Sequence, residues 1–187
     1  MDVQAVERRF GSAAWGRGRA PAQHSSPVVD ALAAHGACCR AVVRSEPLGL
    51  GPLLSASCVP GVHNPAGRGF HHGGGEYGAA ACVASGQAQL ALAVDDAGTA
   101  VVPAAACGAF ALRASEGALP LEGMSAACPR LARPALLAAD PGLLLRAGRA
   151  LDLPPKAPST EAVTCLVAED FFAACGQVGG AAAGRAS

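Results

Sequence analysis

The sequence has few large, rigid side chains. Only seven of its 187 residues are aromatic (five Phe, one Trp and one Tyr), whereas 24 are Gly and 45 are Ala. Small side chains fill volume poorly, so a core built from them brings backbones close together and is thinly packed. A chain that is 51% hydrophobic and 15% charged is not intrinsically disordered. We therefore expect a folded domain with a weak core.

An excess of charge of either sign is also absent. Fourteen Lys and Arg balance fourteen Asp and Glu, and Lys156 is the only lysine. Without a net positive field, nucleic acid and anionic membranes are not favoured as partners. The N-terminal residues lack the apolar segment of a secretory signal, and Asp95 and Asp96 interrupt the most apolar stretch, residues 78–112. The sequence predicts no membrane span and no signal peptide.

The eight cysteines do not indicate a disulfide framework. Several lie in apolar runs, as Cys107 does after three alanines, where a thiol acts as a small hydrophobic group. Because no secretion signal is present, we expect reduced thiols. Cys38 and Cys39 are adjacent and lack the Cys-x-x-Cys spacing of a metal or redox site.

Hydrophobic patterning and turn residues predict alternating helices and strands, which favours an α/β fold. The clearest helix begins at Pro141, with Asp140 as its N-cap. The predicted helices are residues 27–35, 78–86 and 141–151, and the predicted strands are 38–43, 90–94, 109–113 and 163–168. Residues 1–26 and most of 45–77 are predicted as loop.

Two glycine-bearing segments carry the functional signal. Residues 73–78 read GGGEYG, and after a helix and a strand, residues 95–104 read DDAGTAVVPA. This arrangement resembles the amidase signature family, with its Gly-Gly-Ser-Ser/Gly-Gly-Ser loop and its Thr-Asp-x-Gly-Gly-Ser-x-Arg-x-Pro-Ala motif. The likeness runs without a gap over residues 64–140 and extends to both ends of the chain. It is strongest toward plant indole-acetamide hydrolases and the amidase-like import receptors of the chloroplast outer envelope.

The resemblance implies a partial amidase-signature fold, an α/β domain with a mixed sheet flanked by helices. We place this domain at residues 1–178, its signature core at 64–140, and a flexible Gly/Ala-rich tail at 179–187. Family enzymes are much longer, so we expect sheet edges without partners. We expect a protein partner to pair with these edges and complete the fold.

Family chemistry uses a Ser–cis-Ser–Lys triad, in which the lysine draws a proton through the cis-Ser hydroxyl and thereby activates the second serine. The resemblance places Thr99 at the nucleophile position. Gly75 occupies the cis-Ser position and cannot relay a proton, and Glu76 follows where serine is usual. The motif that carries the lysine would place it before Met1. The proton relay is therefore expected to be lost.

Backbone N–H groups of the turn form the oxyanion hole in this family. The corresponding residues here are Asp96, Ala97 and Gly98, and Ala97 replaces the first glycine of the family turn. An alanine there requires a negative φ. Val101 replaces the usual arginine, whereas Asp95 matches the pattern.

Two functions follow from these substitutions. The first is a degenerate amidase domain, by family a carboxamide hydrolase, that is inactive and serves as a pseudoenzyme or interaction module. The alternative is a residual amidase or esterase that uses Thr99 on a small amide. The resemblance implies no cofactor, and it leaves the cytoplasm and the plastid surface open as locations.

Other interpretations of the glycine-rich segment are weaker. His71, His72 and Glu76, with His63 as a further candidate, could be metal ligands, but adjacent histidines diverge and the intervening glycines fix no geometry. The glycines also suggest a phosphate-binding loop, yet they lack the Lys-Ser/Thr of a P-loop and a preceding strand. We predict no metal site.

Overall fold

A computed structural model describes residues 1–7, 9–49, 62–67, 69–153, 167 and 169–174. The chain divides into two compact units, Met1–Pro154 and Pro155–Ser187. The first unit contains every described strand. The elements of this unit are α1 (Ala13–Gly16), α2 (Pro27–Ala34), a 3-10 turn (Pro47–Gly49), α3 (Tyr77–Ala84), β1 (Leu90–Asp95), α4 (Val101–Ala106), β2 (Phe110–Arg113), β3 (Arg133–Ala138) and α5 (Pro141–Ala150). The second unit contributes α6 (Glu169–Ala174).

The three described strands form one sheet in the order β1-β3-β2. The sequence predicts a mixed sheet, but both pairings among the described strands are antiparallel, because β1 and β2 each run opposite to the central β3. Leu90 pairs with Ala138 at one end of β1, and Asp95 pairs with Arg133 at the other. The α/β architecture with a helix-flanked sheet is confirmed.

The central strand β3 is not among the strands predicted from the sequence, and it contains Pro134, a residue that is rare in interior strands. The Pro134 carbonyl accepts a hydrogen bond from the Ala114 N–H at 2.9 Å, so this residue faces β2. The N–H that proline lacks would also point toward β2. It would reach Ala114, one residue past the last β2–β3 pair, which is Arg113 with Ala135. Pro134 therefore removes only one hydrogen bond, at the end of the ladder.

Helices cover both faces of the sheet. Successive β3 side chains alternate between these two faces, so β3 contributes to a core on each. Leu136 and Ala138 pack with α2 and α5, where Val28, Leu32 and Leu144 are buried. The opposite core packs β3 against α3 and α4, and its buried residues are mostly alanine: Ala79, Ala80, Val83, Ala93, Ala100, Ala104, Cys107, Ala135 and Leu137. This alanine-rich core is the thin packing that the composition predicts.

Most predicted elements are confirmed. The helices predicted at 27–35, 78–86 and 141–151 are α2, α3 and α5, and the strands predicted at 90–94 and 109–113 are β1 and β2. The Asp140 carboxylate accepts from the Gly142 N–H at 2.9 Å, as an N-cap does. The five cysteines that the structure describes are free thiols.

The strand predicted at residues 38–43 is wrong. These residues are irregular and exposed, and Val42 keeps 63% of its accessible surface, so the apolar run is not buried in the sheet. Part of the segment predicted as loop at 1–26 forms the one-turn helix α1. Apart from Val167, the strand predicted at 163–168 and the tail at 179–187 lie outside the described residues. None of the described helices is long and apolar enough to cross a membrane.

Candidate functional site

The fold brings the two glycine-bearing segments into backbone contact. The Glu76 N–H donates to the Thr99 carbonyl at 2.7 Å. Gly75 adopts φ +52°, and a Cβ built there would lie 2.2 Å from the Thr99 carbonyl oxygen. The two positions that the resemblance pairs, Gly75 and Thr99, are therefore neighbours, but the gap between them does not hold a side chain.

A third segment packs on the glycine-rich loop. The Glu46 N–H donates to the Gly75 carbonyl at 2.8 Å. A Cβ at Gly78, in the first turn of α3, would lie 2.2 Å from the Arg44 carbonyl oxygen. The loop is thus enclosed by backbone, which only glycine permits at such distances.

The Thr99 hydroxyl is bonded within its own turn. It accepts from the Asp96 N–H at 2.9 Å and lies 3.2 Å from the Val94 carbonyl, to which it donates. Thr99 keeps only 4% of its accessible surface. Because a carbonyl oxygen cannot take the proton as a base would, these contacts hold the turn together without activating the hydroxyl.

The Asp95 carboxylate binds several backbone N–H groups of the same turn. Its buried carboxylate accepts from the N–H groups of Gly98 at 2.8 Å, Ala100 at 2.9 Å and Val101 at 3.1 Å. Arg113 on β2 adds an ion pair through Nε at 3.1 Å. The sequence indicates Asp95 only as a match to the family motif, and it gives no signal for the role of Arg113, because that role depends on the strand pairing through β3.

Some of the backbone N–H groups predicted to form an oxyanion hole already donate hydrogen bonds within the turn. The N–H of Asp96 is bonded to Thr99, and that of Gly98 is bonded to Asp95. The N–H groups of Ala97 and Thr99 form no hydrogen bond with any described residue. Gly98 has φ +91°, whereas Ala97 does not have a positive φ, so alanine is accommodated there as expected. Assignment of Asp96, Ala97 and Gly98 to an oxyanion hole stays a prediction.

Acidic groups lie beside the turn. Asp96 Oδ2 accepts from the Ala127 N–H at 2.6 Å and from the Cys128 N–H at 3.3 Å, while its buried Oδ1 has no partner among the described residues. Burial raises the pKa of the Glu76 carboxyl to about 7 against the lowering effect of the N-terminal ammonium, and the charges of Asp96 and Asp95 raise it further. Glu76 is therefore partly protonated at neutral pH.

The raised pKa of Glu76 predicts a pH-dependent stability. The folded state holds this proton more tightly than the unfolded chain, whose glutamate titrates near 4.5. The stabilisation is thus complete below pH 4.5 and is lost as the pH rises to about 7. Glu76→Gln should flatten the fall in unfolding free energy over this interval, measured by urea titration at several pH values. The exposed Glu122→Gln is the control, and an equal response from both variants would contradict the prediction.

The histidines shape the glycine loop. The Nδ1 atoms of His71 and His72 accept from the N–H groups of Gly73 at 2.8 Å and Gly74 at 3.2 Å, respectively. The His72 ring packs against Tyr77 with centroids 4.5 Å apart, and burial lowers the pKa of His72, with a further contribution from His71. Within the described ranges, no group of three or more His, Cys, Asp or Glu side chains could hold a metal ion.

Comparison with known proteins places this geometry in a family. The family model described as Amidase matches residues 1–140. Outer envelope protein 64, chloroplastic, from Arabidopsis thaliana is 29% identical over 92% of this chain and 29% of its own length. Amidase 1 from Oryza sativa subsp. japonica is 34% identical over 66% of this chain and 28% of its own length.

A third relative is named as a subunit of an amidotransferase. A glutamyl-tRNA(Gln) amidotransferase subunit of Haloarcula marismortui is 34% identical over 55% of this chain and 24% of its own length. The chain thus spans less than a third of the length of each of these three relatives.

A solved structure shares the fold. It is an inhibitor-bound complex, described as a vestigial protein complex that reveals the evolutionary origins of an s-triazine catabolic enzyme. It superposes with a TM-score of 0.74 at 25% identity, over 91% of this chain and 37% of the solved chain. Since the family match covers most of the chain and the fold agrees, the chain belongs to the amidase family.

Proposed function

We propose that this chain is an amidase-family domain that binds a partner and does not hydrolyse amides through Thr99. The observation that carries the proposal is the bonding of the Thr99 hydroxyl, which accepts from the Asp96 N–H and donates to the Val94 carbonyl inside its own turn. A nucleophilic hydroxyl needs a base to receive its proton. Here the hydrogen is already directed at a backbone carbonyl.

The surroundings of Thr99 support the same conclusion. Gly75 offers no hydroxyl for a relay, and its backbone packs against Thr99 too closely for one to be added. Glu76, the neighbouring titratable residue, contacts Thr99 through its backbone N–H. Lys156, the only lysine in the sequence, lies outside the described residues. No described residue therefore completes a proton path from Thr99.

Two of the relatives are named for a location and not for a reaction. Similar proteins carry the name outer envelope protein 64, one chloroplastic and one mitochondrial, both from Arabidopsis thaliana. These names fit a non-catalytic role, for which we propose protein binding, in the cytoplasm or at the plastid surface; of the two names, the chloroplastic one favours the plastid surface. A partner would also cover the sheet edges that the described strands leave open.

The alternative function is a residual amidase or esterase. One observation favours it: the N–H groups of Ala97 and Thr99 have no described partner, and they belong to the same turn as the Thr99 hydroxyl, so they are the donors available to an oxyanion. The relatives named as an amidase and as an amidotransferase point the same way. Small amides would be the substrates.

Amide turnover distinguishes the two functions. We expect the purified chain and its Thr99→Ala variant to release ammonia from indole-3-acetamide, and amine from aryl amides, at the same background rate. Thr99→Ser, which keeps the hydroxyl, is the matched control for folding. Turnover that is present in the unsubstituted chain and lost in Thr99→Ala would contradict the proposal and favour the alternative.

A further inference from the structure

We propose that the open edge of β1 binds an extended, acidic segment of a partner protein as an added strand. This inference rests on the proposed binding function and names the surface and the chemistry of the partner. Three observations support it: the direction of the free backbone groups on β1, the groove beside that edge, and the charge of the groove.

The backbone groups of β1 alternate between β3 and the open edge. The Pro134 carbonyl on β3 points toward β2, so Pro134 has no backbone hydrogen bond to β1. Val94 is the cross-strand partner of Pro134 on β1, and this makes it a non-hydrogen-bonded pair. The N–H and C=O of Val94 therefore point away from β3. The hydrogen bond from Thr99 to the Val94 carbonyl agrees with this direction. By the two-residue period of a strand, Leu90 and Leu92 also point their N–H and C=O groups outward.

Within the described part of the chain, the outward groups of Leu90 and Leu92 are unused. β1 stands at the edge of the sheet, and no described residue bonds to the backbone of Leu90 or Leu92 on that side. Each of these residues offers one donor and one acceptor, which is the pattern that an incoming strand pairs with. Thr99 ends this free stretch, because its hydroxyl already bonds Val94.

A groove gives access to the edge. It is open to solvent, has a volume of about 2030 Å³, and is lined by every residue of β1 from Leu90 to Val94. The half-buried Leu90 and Leu92 and the exposed Val42 are among its apolar lining residues. An extended peptide on β1 would thus gain apolar contacts as well as backbone hydrogen bonds.

The groove carries an excess of positive charge. Four exposed arginines line it and make no ion pair within the described part of the chain: Arg40, Arg44, Arg146 and Arg149. A fifth, Arg9, is paired with Glu7. The remaining acids of the lining are Asp2 and Glu76. Because arginines outnumber the acidic residues in the lining, an acidic segment is the complementary occupant.

Peptide binding tests the proposal. The probe is a fluorescein-labelled peptide of alternating valine and threonine flanked by aspartates, and its binding is measured by fluorescence anisotropy at low and moderate salt. We expect saturable, salt-sensitive binding that weakens about tenfold when lysines replace the aspartates. N-methylation of alternate peptide bonds should abolish it, because the strand can no longer pair with Leu90 and Leu92.

Protein variants test the groove itself. Arg40→Glu combined with Arg146→Glu, one from the irregular segment before α3 and one from α5, should weaken binding of the acidic peptide about tenfold and favour the lysine peptide. Arg130→Glu, an exposed arginine outside the groove, is the control and should leave affinity unchanged. Equal effects from the two sets, absence of binding, or occupation of the edge by a second copy in sedimentation would overturn the proposal.

Ammonia release from indole-3-acetamide in the same samples separates the two proposals. Thr99-dependent turnover together with peptide binding would contradict the proposed function and retain the β1 site. Background turnover without peptide binding would retain the absence of catalysis and remove the β1 site.

Discussion

Gly75→Ser is expected to unfold much of the domain rather than restore the family's hydroxyl. The new Cβ would lie 2.2 Å from the Thr99 carbonyl oxygen, and the residue would keep φ +52°. The contact is with backbone, which cannot move without breaking the hydrogen bond from Glu76 to Thr99. Overpacking and left-handed strain together predict a loss of roughly 3 kcal/mol or more in unfolding free energy.

Gly86→Ser separates the effect of left-handed backbone strain from that of the close contact at Gly75. Gly86 follows α3 with φ +76° and has no atom within 4 Å of a built Cβ, so it carries the left-handed strain without the close contact. We expect it to lose only about 1–2 kcal/mol in urea unfolding. Equal losses at the two positions, or amide turnover gained by Gly75→Ser, would contradict this account of the loop.

Asp95→Ala is expected to cause the other large loss of stability. The side chain is completely buried and accepts hydrogen bonds from Gly98, Ala100 and Val101, in addition to its ion pair with Arg113. Its removal leaves these donors and the Arg113 charge without their acceptor. Loss of one partner of such a network costs about 3–5 kcal/mol.

Asp140→Ala is the matched control for Asp95→Ala. Asp140 is also a carboxylate bonded to backbone N–H, but it is exposed and caps α5 through a single contact. Loss of an N-cap costs about 1 kcal/mol. The two variants are compared by urea unfolding at one pH. A loss at Asp95 no larger than that at Asp140 would show that the carboxylate does not organise the turn.

The elements with clear local signals could be predicted from the sequence. Asp140 and Pro141 mark the start of α5, and the apolar run before Asp95 marks β1. The strand β3 could not be predicted, because Pro134 is tolerated only through its position at the end of the β2 ladder. The apolar residues 38–43 are misleading, because β propensity does not decide whether a segment finds a sheet partner.

The same division holds at the candidate site. The family resemblance is enough to pair Gly75 with Thr99, since both lie in recognisable motifs. The bonds of the Thr99 hydroxyl and the pairing of Asp95 with Arg113 depend on side-chain orientation and on contacts across the sheet. No local pattern in the sequence reports these contacts.

Covalent labelling of Thr99 tests the central claim most directly. The native chain is incubated with a fluorophosphonate, which reacts with activated hydroxyl nucleophiles, and the adduct is located by peptide mass spectrometry. A hydroxyl held between the Asp96 N–H and the Val94 carbonyl should give no adduct at Thr99, with the chain indistinguishable from Thr99→Ala. Stoichiometric modification of Thr99 would contradict the account.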